Sequence, residues 1–441
     1  MKKIDLTKGN VLNVLMALAL PIMGSSLLQF SYNLVDMLWV GRLGTDAVAS
    51  VGSSSFFVGL GYAINAMVVI GAGIKASHAI GRKDEQESKA YINAGLALNG
   101  VIGIFYALIL IGFGKAFIGF LQLGNPVVEK DAYIYLLYNA PTLFFAFYNA
   151  LYSRLLGSFG NNKEALKISA IGIILNIILD PILIYGVGMG VQGAAAATLV
   201  ANALMFVLYA YRGRKLIGFD RTVGVHMQKV KEIARLGLPM ATQRVLFTLV
   251  NIALARIIST FGSDAIAAQK IGLQIESITF MIIGGLNGAV ASFTGQNYGA
   301  KAYDRIHKGY ATSIGIGSVY ALAMAAMFWL IPEHLAGVFV TEPETIAITI
   351  GYLKIIAIAQ IFSAIEMITN GLFTGMGIPK ISANISMIFT VLRIPMALIF
   401  VQYLGINGIW LSIATSSILK GAVAYAYYTL KVKKNYTEAG L

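Results

Sequence analysis

Long apolar runs alternate with short polar breaks along the whole chain. Twelve runs are long enough to cross a bilayer as a helix, which takes about 20 apolar residues. They cover 11–40, 46–76, 90–114, 131–157, 165–187, 191–211, 232–260, 264–294, 308–331, 345–376, 379–403 and 406–430. The breaks carry helix punctuation. Gly-Arg-Leu-Gly-Thr-Asp at 41–46 ends the first run and places Asp46 to N-cap the second; Phe-Gly-Ser-Asp at 261–264 does the same for the eighth. The pattern predicts an all-α polytopic membrane protein with twelve transmembrane helices.

The two halves overlay with a shift of 218 residues. Leu20-Pro21 then meets Leu238-Pro239, Gly44-Thr45-Asp46 meets Gly262-Ser263-Asp264, Gly81 meets Gly299 and Lys83 meets Lys301. Farther along, Gly160 meets Gly377 with a shift of 217. A shift that spans six helices starts both repeats on the same side of the membrane, so the repeats are parallel. The expected organisation is an N-lobe at 1–211, a cytoplasmic linker at 212–231 and a C-lobe at 232–441. Two pseudo-symmetric six-helix bundles around a central cleft suit a rocking, alternating-access motion.

Composition agrees with the membrane reading. The chain has 441 residues, 57% apolar and 12% charged, whereas soluble domains carry about 25% charged residues. It has 47 Gly and 9 Pro, which membrane helices tolerate better than soluble ones do. The polar stretch Met1 to Asn10 followed by the long run from Val11 does not read as a cleavable signal. With no cysteine, disulfides, thiol catalysis and Cys-based metal sites are excluded. The four histidines, His78, His226, His307 and His334, have no ligand-pair spacing, so no structural zinc is expected.

The net charge of +13 does not indicate a nucleic-acid partner, because the cations sit in alternate loops. One side collects Lys2, Lys3, Lys8, Arg82, Lys83, the run from Arg212 to Arg235, Lys301, Arg305 and Lys431, Lys433 and Lys434. The other side has only Arg42, Lys115 and Lys130. The positive-inside rule then puts both termini in the cytoplasm, with the chain in the cell membrane.

Four N-lobe spans each present one polar face. Gln29, Asn33 and Asp36 recur at helical spacing on the first, as do Ser169, Asn176 and Asp180 on the fifth. Thr198 and Asn202 share a face of the sixth; Tyr135, Thr142 and Asn149 keep a seven-residue spacing on the fourth. Lipid cannot satisfy such groups, so they face one another or water. A carboxylate at membrane depth costs several kcal/mol and marks an ion or substrate path. In the overlay Asp36 falls on Leu254 and Asp180 on Ile394 or Ala397, so the acids belong to one repeat. Two such carboxylates can share a proton, or join amide and hydroxyl oxygens around Na⁺; a hydrogen-bonded packing network is the third reading. Pro21 can kink the first span, either as a hinge that answers protonation of Asp36 or as a static bend.

The C-lobe carries Arg244 and Arg256 on span seven, Lys270, Gln274 and Glu276 on span eight, Lys354, Gln360 and Glu366 on span ten, and Arg393 on span eleven. Lys354 and Arg256 read as interfacial snorkels. Arg244–Glu276 and Arg393–Glu366 are candidate ion pairs; alternatively Glu276 and Glu366 face the cleft and attract a cationic substrate. The 22 Tyr and 23 Phe can supply aromatic faces to organic cations.

Asn-Leu-Val-Asp36-Met-Leu-Trp-Val-Gly-Arg-Leu-Gly, Asn176-Ile-Ile-Leu-Asp180-Pro181 and Gly-Ala-Ala-Ala-Ala-Thr198 resemble the multidrug and toxic compound extrusion (MATE) family, more closely its DNA-damage-inducible F-like branch. The resemblance runs over essentially the whole length. It implies a cation site at Asp36, Asn176, Asp180 and Thr198, taking H⁺ or Na⁺, with Tyr135 and Asn149 around it and a kink at Pro21. Another branch has an acid on span seven; here that stretch reads Pro-Met-Ala-Thr-Gln-Arg244, with none.

The expectation is therefore a monomeric, cation-coupled antiporter without a cofactor, exporting amphipathic or cationic organic compounds. The nearest rival is a lipid-linked oligosaccharide flippase of the same superfamily. A major-facilitator transporter fits less well, because the loop Ala-Ile-Gly-Arg-Lys-Asp-Glu-Gln lacks the Gly-Asp-Arg-Gly-like motif. No metal motif or nucleophile–base pair points to an enzyme.

Overall fold

The computed structural model describes residues 5–121 and 123–434. Lys2 and Lys3 of the inside charge lie outside them. The described chain is helical throughout. It runs α1 (Val11–Gly41), α2 (Thr45–Gly81), α3 (Glu85–Phe120), α4 (Pro126–Ser158), α5 (Asn162–Pro181), α6 (Val191–Ile217), α7 (Met227–Ser259) and α8 (Ser263–Gly299). It continues through α9 (Tyr303–Leu330), a short α10 (Pro332–Gly337), α11 (Pro343–Gly375), α12 (Pro379–Val391), α13 (Arg393–Leu404) and α14 (Ile406–Tyr427). A π-helical turn, Ile182–Gly186, extends α5, and another, Tyr428–Lys433, extends α14.

Taking α12 with α13, these helices supply the twelve predicted spans. Among the described residues eleven are long and apolar enough to cross a membrane; α4 is long enough at 33 residues, but no stretch of it is apolar enough to count with them. The eleventh span is broken at Leu392 because Pro395, one turn on, has no N–H to give to Val391. The helices reach past the apolar runs where a cap fixes their start. Asp84 accepts from Glu87 N at 2.8 Å and begins α3 ahead of residue 90. One cap is corrected. Gly44, at φ 109°, holds the N-cap of α2, and Asp46 lies inside the first turn, where it still favours the positive helix end. Gly262 and Asp264 repeat this at α8.

The chain divides into two compact units. One takes Asp5 and Leu20–Ala241; the other takes Leu6–Ala19 together with residues 242–434. Val68, Ala72, Ile92, Leu151, Leu155 and Ile233 belong to the core of the first. Leu254, Ile258, Phe328, Tyr352, Leu353 and Trp410 belong to that of the second. The start of α7 is locked into the first unit by close backbone approach. A Cβ on Gly237 would lie 1.8 Å from the Met67 carbonyl oxygen, and one on Gly71 would lie 2.1 Å from that of Ile233.

The internal repeat is present in the backbone as well as the sequence. α2 and α8 both run 37 residues, starting at Thr45 and Ser263. Lys83 and Lys301, at matched positions, both take a left-handed backbone, φ 60° and 57°. Gly160 and Gly377 match likewise at 75° and 81°. Of the polar stretch 212–231, only residues 218–226 are outside helices; Arg214 and Lys215 lie in the last turn of α6, where cations suit the negative end.

Candidate functional site

Within the first unit, α1, α2, α4, α5 and α6 surround a cavity of about 680 Å³. Gln29, Asn33, Asp36, Tyr135, Thr142, Asn176, Thr198 and Asn202 line it, so the polar faces of four helices do converge. Tyr32, Tyr62 and Asn139 also line it. They were absent from the candidates, although Tyr32 stands one turn before Asp36 and the i, i+4 rule marks it. The wall contains no Lys, Arg or His among the described residues.

The acids sit at different depths. Asp36 is half-buried at the wall, while Asp180 is fully buried behind it and does not line the cavity. Asn176, which lines the cavity with Asp36, links Asp180 to the wall. Asn176 Nδ2 donates to Asp180 Oδ1 at 3.1 Å. Tyr32 and Thr198 share a hydroxyl hydrogen bond of 3.2 Å. Asn202 Nδ2 donates to the Thr198 carbonyl at 2.9 Å, and Asn149 Nδ2 to that of Asn202 at 3.0 Å. Asn149 thus supports the wall from behind. Gln29 bonds Asn33 at 3.2 Å, at the exposed end.

After these bonds, Asp36 Oδ1 and Asp180 Oδ2 remain buried with no hydrogen-bond partner among the described residues. Buried polar atoms are nearly always paired, so two unpaired carboxylate oxygens in one region need a reason. Each can take a proton, and with Asn176 and Thr198 nearby each is an oxygen donor suited to a hard monovalent cation.

The local sequence sets this geometry. Asp180 precedes Pro181, and the next residues leave α-geometry for the π turn, closed by Val187 N to Ile182 O at 2.8 Å. Such turns often mark functional sites. Gly193 lets α6 pass the turn closely, since a Cβ there would lie 2.7 Å from Leu183 backbone. Pro21 lies inside α1 without ending it, and Ser25 Oγ donates to its carbonyl at 3.0 Å.

The MatE family profile matches residues 21–182 and 239–399, once in each repeat. The chain belongs to the MatE family. It is similar to the probable multidrug resistance protein YpnP of Bacillus subtilis (strain 168), 29% identical across 99% of this chain and 100% of that one. It is 24% identical to the multidrug export protein MepA of Staphylococcus aureus (strain MSSA476), over 96% of this chain and 95% of that one. A solved multidrug resistance MATE family transporter of the MOP superfamily, in an outward-facing conformation, shares the fold at TM-score 0.92 and 24% identity, over 98% of both chains. The protein is a multi-pass membrane protein.

In this MatE chain the C-lobe candidates lie in the second unit, and none lines the cavity. Glu276 is buried and accepts from Tyr352 OH at 2.5 Å and Gln360 Nε2 at 3.2 Å. Arg393, also buried, donates to Ser416 Oγ at 2.9 Å and Ser417 Oγ at 3.5 Å and stacks over Phe247. No Arg244–Glu276 or Arg393–Glu366 ion pair forms among the described residues, because neutral hydroxyl and amide partners satisfy Glu276 and Arg393 instead. Glu366 is half-buried on α11. Lys354 and Arg256 are exposed, Lys354 over the Trp329 ring at 5.9 Å. Leu254, the counterpart of Asp36, is fully buried in apolar core, as is Ala397.

Proposed function

We propose that this protein is a cation-coupled antiporter that exports amphipathic organic cations. H⁺ or Na⁺ moving inward binds at Asp36 and Asp180, with Asn176 and Thr198 completing the oxygen set, and its binding is exchanged for release of the organic substrate. The observation that carries this reading is the pair of buried carboxylate oxygens that, among the described residues, have no hydrogen-bond partner and stand beside a cavity with no basic side chain. A negatively charged site faced by Tyr32, Tyr62 and Tyr135 suits a flat or lipophilic cation. The names of relatives such as YpnP and MepA support an export role. The carboxylates drive the cycle only if they bind the ion differently in the two access states. We further propose that the chain acts as a monomer in the cell membrane, with two lobes at 1–211 and 232–441 and both termini in the cytoplasm.

Transport in proteoliposomes tests this, with ethidium as the probe and an imposed H⁺ or Na⁺ gradient as the drive. One gradient should accelerate efflux in the parent, and Asp36→Asn and Asp180→Asn should each abolish that acceleration. Gradient-driven efflux unchanged in both variants overturns the coupling site; efflux indifferent to both gradients overturns the antiport.

A further inference from the structure

One short pattern occurs twice and lies outside the cavity. Asp5, Thr7 and Gly9 spell Asp-x-Thr-x-Gly, and so do Asp220, Thr222 and Gly224. Each copy stands just ahead of the helix that opens a repeat, α1 or α7. Each ends on a glycine with a left-handed backbone, φ 80° at Gly9 and 68° at Gly224. In the second copy the Asp220 carboxylate closes the turn by accepting from Thr222 N at 2.9 Å.

Both turns are gripped by their backbones. Leu6 N donates to Gln296 Oε1 at 3.0 Å, and Asn297 Nδ2 donates to Leu6 O at 3.2 Å. Arg305 adds Nη2 to Lys8 O and Nη1 to Gly9 O, both at 2.7 Å. Gln296, Asn297 and the Leu6 side chain are buried. At the other turn buried Asn93 serves both directions. Its Nδ2 donates to Asp220 O at 2.7 Å and Gly224 O at 2.8 Å, and its Oδ1 accepts from Asp220 N at 2.9 Å.

The grips are exchanged between the repeats. Residues 6–9 of the turn that opens the first repeat are held by α8 and α9, inside the second unit; the turn that opens the second is held by α3, inside the first. α1 leaves the second unit between Ala19 and Leu20, and α7 leaves the first between Ala241 and Thr242. Both crossings lie beside the repeat-matched prolines, Pro21 and Pro239. Beyond its crossing, α1 carries Tyr32 and Asp36 to the cavity.

We infer that α1 is a strut, fastened to the second unit at its opening turn and delivering that unit's displacement to the cavity face it bears in the first. α7 is its counterpart in the opposite sense. A fastening that hydrogen-bonds main chain rather than side chain holds position against an axial pull. An ordinary terminus, by contrast, is poorly ordered unless tied down.

The chain has no cysteine, so Ser55→Cys, on the cavity wall, gives a single reporter for a membrane-permeant thiol reagent. The full chain is used in proteoliposomes, with hydrogen exchange at 6–9 read alongside. In the Arg305→Ala background exchange at 6–9 should rise at least tenfold, and labelling of the reporter should change at least threefold. A second variant leaves the grip intact: two glycines inserted between Gly9 and Asn10 slacken the link without touching Arg305. Exchange at 6–9 should then stay slow while labelling changes as in Arg305→Ala. If either variant folds and leaves labelling at the parent rate, the strut is overturned and the turn is only a terminal clamp. Neither readout needs coupled transport, so this result stands apart from the antiport test.

Discussion

Asn176 donates to Asp180 from one helical turn away, at 3.1 Å, and this single bond leaves Asp180 Oδ2 buried and unpaired among the described residues. Removing one partner of a buried polar pair costs about 1–3 kcal/mol, because the remaining group keeps its desolvation penalty. Asn176→Ala should therefore lower stability in detergent by about that amount. Adding Asp180→Asn removes the stranded charge. The double variant should be less destabilised than the two single effects added together. Thermal unfolding of all three decides this; strict additivity would show that Asn176 and Asp180 do not act as a pair.

Glu276 tests whether the second unit holds a working acid or a structural one. Its carboxylate is enclosed by Tyr352 and Gln360 and lines no part of the Asp36 cavity. Glu276→Gln puts an amide N–H₂ in place of one of the two accepting oxygens and so disturbs the bonds from Tyr352 and Gln360, each worth about 0.5–1.5 kcal/mol. Stability should fall, and the gradient dependence of ethidium efflux should stay that of the parent. Loss of gradient dependence in a folded Glu276→Gln protein would move part of the coupling into the second unit.

Lys83 and Lys301 take the left-handed backbone that glycine adopts freely. The conformation costs a side-chain-bearing residue about 1–2 kcal/mol; glycine loses about 0.5–1 kcal/mol more backbone entropy on folding than alanine does. The first effect is larger. Lys83→Gly and Lys301→Gly should each stabilise the protein by up to about 1 kcal/mol. A rise of a degree or more in Tm for both checks this, and a fall would mean the lysine side chains hold contacts worth more than the strain.

Gly237 is the opposite case. Its hydrogen faces the Met67 carbonyl, and a Cβ at 1.8 Å has no room unless α7 moves away from α2. Overpacking of this kind costs about 1–3 kcal/mol, and contact with rigid backbone puts Gly237→Ala at the upper end. Thermal unfolding should show a loss of about 3 kcal/mol. A neutral result would mean that the start of α7 is not fixed against α2.

Much of this architecture was legible in the sequence because membranes restrict it. Apolar runs of the required length mark the spans, and helical spacing alone places Asp36, Asn176 and Thr198 each on a polar stripe that must meet another stripe or water. Tyr32 was legible too, one turn before Asp36, but reads as a belt aromatic when taken alone. The partners of Glu276 and Arg393 were not legible. They depend on which of several neighbouring helices approaches, and opposite charges invite a pairing that nearby Tyr352 and Ser416 displace. The Asp-x-Thr-x-Gly turns were missed because their shift of 215 falls outside the main register. Their exchange between units has no local signal at all.

The second turn should also loosen in acid. Lys89 pairs with Asp220 at 2.9 Å, and Thr222 hydrogen-bonds it. These contacts, the Thr222 hydroxyl first, hold the Asp220 carboxyl well below the usual carboxylate range. A depressed folded-state value contributes stability that is complete above the unfolded value of about 3.9. That contribution is lost as pH falls below it, toward the folded value. Hydrogen exchange at 220–224, corrected for the intrinsic rate, should therefore accelerate between pH 4 and pH 2.5, and Asp220→Asn should remove that pH dependence. Acceleration of the same size in Asp220→Asn would show that general acid unfolding, rather than Asp220, sets the response.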